Sequence, residues 1–207
     1  MNQYLESFVD SSREEFEKNC RQIDYKAIEK AADIIMKSEA RDGRVHVTGI
    51  GKPGHVAGYV ASLLSSTGTS AYELHGTEAV HGSSGQVKSG DVVIAISNSG
   101  ETTELKTTIE TLISNGASII SCTGNPKSWL ARHSEICLVA HVDKEGDTLN
   151  KPPRASILSE IFILQSLSVV LQERKELNLN QYVKWHPGGS LGKGIREEQK
   201  GKCGCQV

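Results

Sequence analysis

Five short apolar runs, at 45–50, 70–74, 92–96, 118–122 and 135–140, recur along the chain, and segments at 55–66, 101–114 and 156–171 carry helical patterns between or after them. Strands alternating with helices predict a parallel sheet, because a crossover connection is what returns the chain to start a neighbouring strand in the same direction. The run 92–96, Val-Val-Ile-Ala-Ile, has no polar position. A strand without alternation is buried on both sides, so helices must cover the sheet front and back. Ahead of the first run, apolar residues at helical spacing (Leu5, Phe8, Val9, Phe16, then Ile23, Ala27, Ile28, Ala31, Ile34, Ile35) predict two amphipathic helices before any strand. The expectation is an α/β fold with residues 1–42 as N-terminal helices packed on the domain, 43–193 as the domain itself and 194–207 as a flexible tail. At 207 residues the chain is long enough for one substantial core and too short to promise two.

Lys and Arg number 23 against 25 Asp and Glu, interspersed, for a net charge of −2. That leaves no basic stripe for a nucleic acid and no polybasic patch for a membrane, so an anionic ligand must be caught by a local site. The charged amino terminus lacks the apolar core of a signal peptide, and no run approaches the ~18 apolar residues of a spanning helix. A cytoplasmic protein is expected. Cys20, Cys122 and Cys137 lie singly within helix or strand patterns, and Cys203 and Cys205 in a polar tail read as inert, a soft-metal pair being the competing reading. An odd count without framework spacing suits a reducing compartment.

In an open parallel sheet, ligands bind beyond the carboxyl ends of the strands, which puts the loops after Ile50, Leu74, Ile96 and Ala140 on one face. The turn Ser97-Asn98-Ser99-Gly100-Glu101-Thr102 joins the most apolar strand to the next helix. Three hydroxyls and the free amides of a helix start make an anion site; the competing reading is an ordinary cap, with Ser99 capping and Glu101 favouring the dipole. The first loop, Thr48 to Gly54, contains Gly49-x-Gly51-x-x-Gly54, and Glu73 follows near the next strand's end, a passable dinucleotide fingerprint. Lys52 inside that turn suits a single phosphate or an oxyanion instead. His75 and His81, six apart, have no recognisable metal spacing and read as structural histidines, with an acid–base role the competing reading for His81, which lies near the candidate face. Glu145 looks by composition like a solvated loop carboxylate.

The stretches VTGIGKPGH, HGTEAVHG, AISNSGETTEL, SCTGNPKSWLA and HPGGSLGK together resemble the sugar isomerase (SIS) domain, and most closely the D-arabinose-5-phosphate isomerases, from about Val45 to Lys193. The resemblance implies a flavodoxin-like five-stranded parallel sheet with helices on both faces, a homotetramer with sites where subunits meet, a phosphosugar substrate, and no organic cofactor or metal. It places catalytic roles on Lys52, His81, Glu101, Glu145 and His186, and phosphate binding on Gly51, Ser97, Asn98, Ser99 and Thr102. Glu101 becomes the expected base, His186 a ring-opening or proton-shuttling group, and Lys52 the partner of the enediolate. Two departures stand out: Pro53 replaces the family's usual serine, and GDTLNKPPRAS brings Lys151 and Arg154 into a segment usually rich in small hydroxyl residues. Only 14 residues follow Lys193, so the paired regulatory (CBS) module of many relatives is not expected in this chain. A non-catalytic phosphosugar-binding module, an isomerase for another pentose or hexulose phosphate, and an NAD-dependent dehydrogenase are the competing readings.

Overall fold

A computed structural model describes residues 2–189, with Gly192 and Gly194. The expected tail from 195 to 207, with Cys203 and Cys205, and the residues Ser190, Leu191 and Lys193 of the last motif lie outside the described residues. In chain order the elements are α1 (Gln3–Gln22), α2 (Tyr25–Glu39), β1 (Val45–Gly49), α3 (Lys52–Ser66), β2 (Ala71–Glu73), two 3-10 turns (Glu78–His81 and Ser83–Gln86), β3 (Val92–Ile96), α4 (Thr103–Ser114), β4 (Ser118–Thr123), α5 (Trp129–Arg132), β5 (Ile136–Val139), α6 (Ala155–Arg174) and α7 (Leu179–Trp185).

The five strands are parallel in the order β2-β1-β3-β4-β5, the flavodoxin-like arrangement. Every residue of β1 and β3 is buried, as a strand covered on both sides requires. Successive side chains point to opposite faces and so divide the core in two. Val45, Val47, Ile94, Ile96, Ile120 and Cys122 pack beneath α2, α3 and α6; Val93, Ala95 and Ile119 pack beneath α4 and the 3-10 segment.

Three sequence expectations need correction. The helix after the first loop starts at Lys52 rather than 55, because Pro53 sits in its first turn, where a missing N–H costs nothing. The apolar pattern of α1 does not mark its buried side: Glu15 and Asn19 are buried, while Leu5, Val9 and Phe16 are exposed. The buried carboxylate of Glu15 accepts from Lys18 and from the Asp143 amide, and Asn19 accepts from Ser159, so α1 is held by polar contacts that a hydrophobic pattern cannot display. Finally, α6 is long and apolar enough, by length and composition, to cross a membrane. In the fold it is a core helix, burying Ile163, Leu164, Leu167 and Leu171 against the sheet and its neighbours.

At the amino ends of the strands, the buried Asp91 carboxylate accepts from the amides of Lys88 (2.8 Å) and Arg44 (2.9 Å) and from His46 Nε2 (3.1 Å). Burial pushes the Asp91 carboxyl up, but the two amides and His46 outweigh it and hold it below the ordinary range; burial lowers His46. Truncating the carboxylate leaves two amides without their partner at 1–3 kcal/mol for each buried group. Asp91→Ala is therefore expected to lose about 3 kcal/mol of stability and to melt on the order of 10 °C lower. A melting temperature within about 2 °C of the parent would contradict that.

Candidate active site

The strand order reverses direction between β1 and β3. From β1 the chain crosses to β2 through α3 on one face, and from β3 it crosses to β4 through α4 on the other. Gly49, the last residue of β1, pairs with Ile96, the last of β3, so the loops that follow them lie side by side. Helices leaving to opposite faces open a crevice there, which is where ligands bind in sheets of this kind.

One wall of the crevice is the hydroxyl turn. Ser97 is buried; its Oγ accepts the Gly100 amide at 3.1 Å and lies 3.3 Å from Thr102 Oγ1. Gly100 has φ +65°, and a Cβ there would stand 2.1 Å from Ser128 Oγ, so the turn tolerates glycine alone and is pressed against the β4–α5 loop. Asn98 fixes it from the other side, its carbonyl accepting the Gly124 amide at 3.0 Å and Thr123 Oγ1 at 3.1 Å. The ordinary-cap reading of the turn does not describe it. Ser99 Oγ accepts the Glu101 amide, and α4 starts only at Thr103, with Thr102 as N-cap and no side chain capping it. A twelve-residue helix thus presents an uncapped, electropositive end beside two exposed residues, Asn98 and Ser99.

The other wall is the glycine loop. Gly51 has φ +67° and ψ −129°, a conformation for glycine, and is the N-cap of α3, again without a side-chain cap. Lys52 is the first residue of that helix and is exposed. Gly54 fits closely, since a Cβ there would meet the Gly49 carbonyl oxygen at 3.0 Å. A cavity of about 150 Å³ beside this loop is lined by Gly51, His55, Glu73, His75 and Thr77, among others.

The remaining expected site residues are spread more widely. His81 ends the first 3-10 turn, exposed, with no hydrogen-bond partner among the described residues. Glu145 corrects its compositional reading: it is 8% exposed, and its Oε2 accepts the amides of Arg154 (2.6 Å) and Ser156 (3.2 Å), which makes it the carboxylate cap of α6. Arg154 pairs with Asp147 and so turns towards its own loop. His186 lies apart from all of these. Its Nδ1 contacts the Tyr182 carbonyl at 2.8 Å and its ring stacks on Tyr182, while the neighbouring Trp185 packs on Gly68, before β2 begins. That is the amino end of the sheet, so within one chain His186 does not join Lys52 or the Ser97 turn.

Two carboxylates at the start of α4 differ in a way the sequence did not display. Both oxygens of Glu101 are engaged: Oε2 accepts from Lys106 Nζ at 2.5 Å and Oε1 from the Trp129 amide at 2.7 Å, at the start of α5. These partners, Lys106 first, hold the Glu101 carboxyl below its ordinary range. Glu104, passed over in the sequence, is exposed in the first turn of α4 and has no hydrogen-bonded or ion-pair partner among the described residues. No group of three or more His, Cys, Asp and Glu among the described residues could hold a metal ion.

The SIS domain family matches residues 39–169. Arabinose 5-phosphate isomerase KdsD of Francisella tularensis is 37% identical over 93% of this chain and 60% of its own length, and that of Pseudomonas aeruginosa is 39% identical over 79% and 49%. The chain therefore spans roughly half to three fifths of these curated relatives. Among solved structures, an Escherichia coli CFT073 protein in complex with arabinose 5-phosphate is 30% identical with a TM-score of 0.78, covering 89% of this chain and 94% of that one. With more than half of its length matched and its sheet in the order 2-1-3-4-5, the chain belongs to the SIS domain family.

Proposed function

We propose that the protein isomerises an aldose phosphate to its ketose phosphate, with arabinose 5-phosphate as substrate and ribulose 5-phosphate as product. The observation that carries this reading is the uncapped start of α4 with its hydroxyl turn at the β1/β3 crevice, next to Lys52. A phosphate there accepts from Ser97, Ser99, Thr102 and the first-turn amides, with the Gly51 backbone close on the facing wall. Several charge-assisted bonds are needed, because a helix end alone contributes only about 0.3–1 kcal/mol.

With the phosphate anchored, a base takes the proton from carbon 2 of the open-chain aldose. The released electron pair forms the bond between carbons 1 and 2, and the carbonyl oxygen becomes an enediolate oxygen. Lys52 stabilises that growing charge. The hydroxyl proton on the carbon-2 oxygen then passes to the carbon-1 oxygen and the base returns its proton to carbon 1, which leaves a hydroxyl at carbon 1 and a ketone at carbon 2. Glu104 is the better base: its carboxylate is free, whereas Glu101 is tied to Lys106 and Trp129 and made more acidic. Glu101 then serves to hold the turn against α5. His81 and Glu145 orient the sugar hydroxyls.

His186 enters from a second subunit, which accounts for its distance from the crevice in its own chain and for the tetramer expected of the family. Lys52→Met and His186→Ala, each inactive alone, should recover about a quarter of the parental rate when co-assembled at random, since one site in four then holds both native residues. No recovery in verified mixed oligomers would mean that Lys52 and His186 do not meet across a subunit boundary. The reaction itself is tested by offering aldose phosphates in a ketose-coupled assay; arabinose 5-phosphate should be turned over fastest, and turnover of none would refute the proposal.

A further inference from the structure

Glu160 is the one charged residue that α6 buries. It is 0% exposed, and neither carboxyl oxygen has a hydrogen-bond partner among the described residues. One turn earlier on the same side of the helix, Ser156 Oγ is also buried and without a partner among the described residues. The Ser156 amide, in turn, is one of the two that Glu145 caps. A buried carboxyl, an unused hydroxyl and a capping carboxylate thus meet at the start of α6, where β4 ends at Cys122 and Thr123 on the site side of the sheet.

We propose that Glu160 is a positioning residue: it holds a proton beneath the start of α6, and giving up that proton displaces the Glu145 carboxylate from the helix end it caps. The inference rests on assigning Glu145 to the site. Burial first, and the Glu145 charge second, raise the Glu160 carboxyl to about 8, close enough to working pH for the proton to come and go. Ionised Glu160 would be a second negative charge facing Glu145 in a low-dielectric interior, where like charges repel strongly.

The groups that face this position are few. From β4 comes Cys122, whose thiol is pushed well up by burial and by Glu160 itself, and so stays uncharged. From α1 come Asn19, bound to Ser159, and Glu15, whose oxygens are taken by Lys18 and the Asp143 amide. The side chains that α3 buries are all apolar, and those of α2 are too, save Ser38 near its end. No cation among these groups neutralises Glu160, so its proton does.

The test compares the parent protein with Glu160→Gln between pH 6 and 9.5. Amide exchange across residues 154–156, corrected for the intrinsic pH dependence, reads the Glu145 cap whether or not sugar is turned over, so this result and the isomerase assay fail separately. In the parent these amides should lose about tenfold in protection between pH 7 and 9, and kcat should fall about tenfold over the same interval with KM changing less than twofold. In Glu160→Gln both losses should shrink below about twofold. Equal losses in the two proteins, or none in either, would overturn the inference. Glu160→Met, also uncharged, decides the matter by the same readings should the glutamine variant fail to fold.

Discussion

Replacing Glu104 by Gln should slow isomerisation by about 10²–10⁴ while KM changes little, because a group that moves a proton only in the transition state contributes to kcat. The matching substitution of Glu101 should cost less than tenfold at saturating substrate and should instead lower the melting temperature, since the amide has no charge to pair with Lys106 and one acceptor oxygen where the carboxylate gave two, to Lys106 and to the Trp129 amide. Lys52→Met should lose about 10²–10³. Deuterium from solvent separates the two carboxylates directly. With Glu104→Gln, incorporation into the sugar at carbon 1 or 2 should stop, and with Glu101→Gln it should continue. The opposite pattern would return the base to Glu101, where the resemblance had put it, and would mean that its two partners let go when substrate binds.

The second large effect is on stability. Glu160→Leu should melt on the order of 10 °C above the parent at pH 8.5 and much closer to it near pH 4.5. The sign follows from the direction of the shift. The Glu160 carboxyl is raised from an ordinary value near 4.5 to about 8 in the fold. Below the ordinary value both folded and unfolded chains hold the proton and nothing is lost. Between there and about 8 the unfolded chain is ionised while the folded one must keep its proton, so stability falls as pH rises, by up to about 1.4 kcal/mol per pH unit. Above about 8 the loss is complete. Summed over that interval the penalty is several kcal/mol, and leucine abolishes it while adding apolar burial. Melting curves of the two proteins that stay parallel from pH 4.5 to 8.5 would mean that Glu160 is not held neutral in the fold.

Much of the architecture could be read from apolar runs alone. Val92–Ile96 announced a strand covered on both sides, and the alternation with helices implied the parallel sheet; the strand order, by contrast, came with the resemblance, since periodicity does not say which neighbours pair. The Ser97 turn was legible because three hydroxyls cluster directly after that strand. Glu145 was not, since its role depends on the Arg154 and Ser156 amides, which only the fold brings to its carboxylate. Glu104 was hidden by its neighbour: sequence shows two glutamates three apart but not that one is occupied by Lys106 and Trp129. Glu160 left a trace that could have been used, a lone acid in the middle of the apolar stretch 156–171, where an unpaired charge is expensive. The inverted α1 follows the same lesson. Leu5, Val9 and Phe16 mark a helix correctly and its buried side wrongly, because packing within one chain uses Glu15 and Asn19.

A crystal structure of the protein soaked with arabinose 5-phosphate would bear most directly on the central claim. The phosphorus should lie between Ser97, Ser99, Thr102 and the first-turn amides of α4, with carbons 1 and 2 reaching towards Lys52. Phosphate held by the Gly49–Gly54 loop without the Ser97 turn, or a sugar bound away from the β1/β3 crevice, would contradict it.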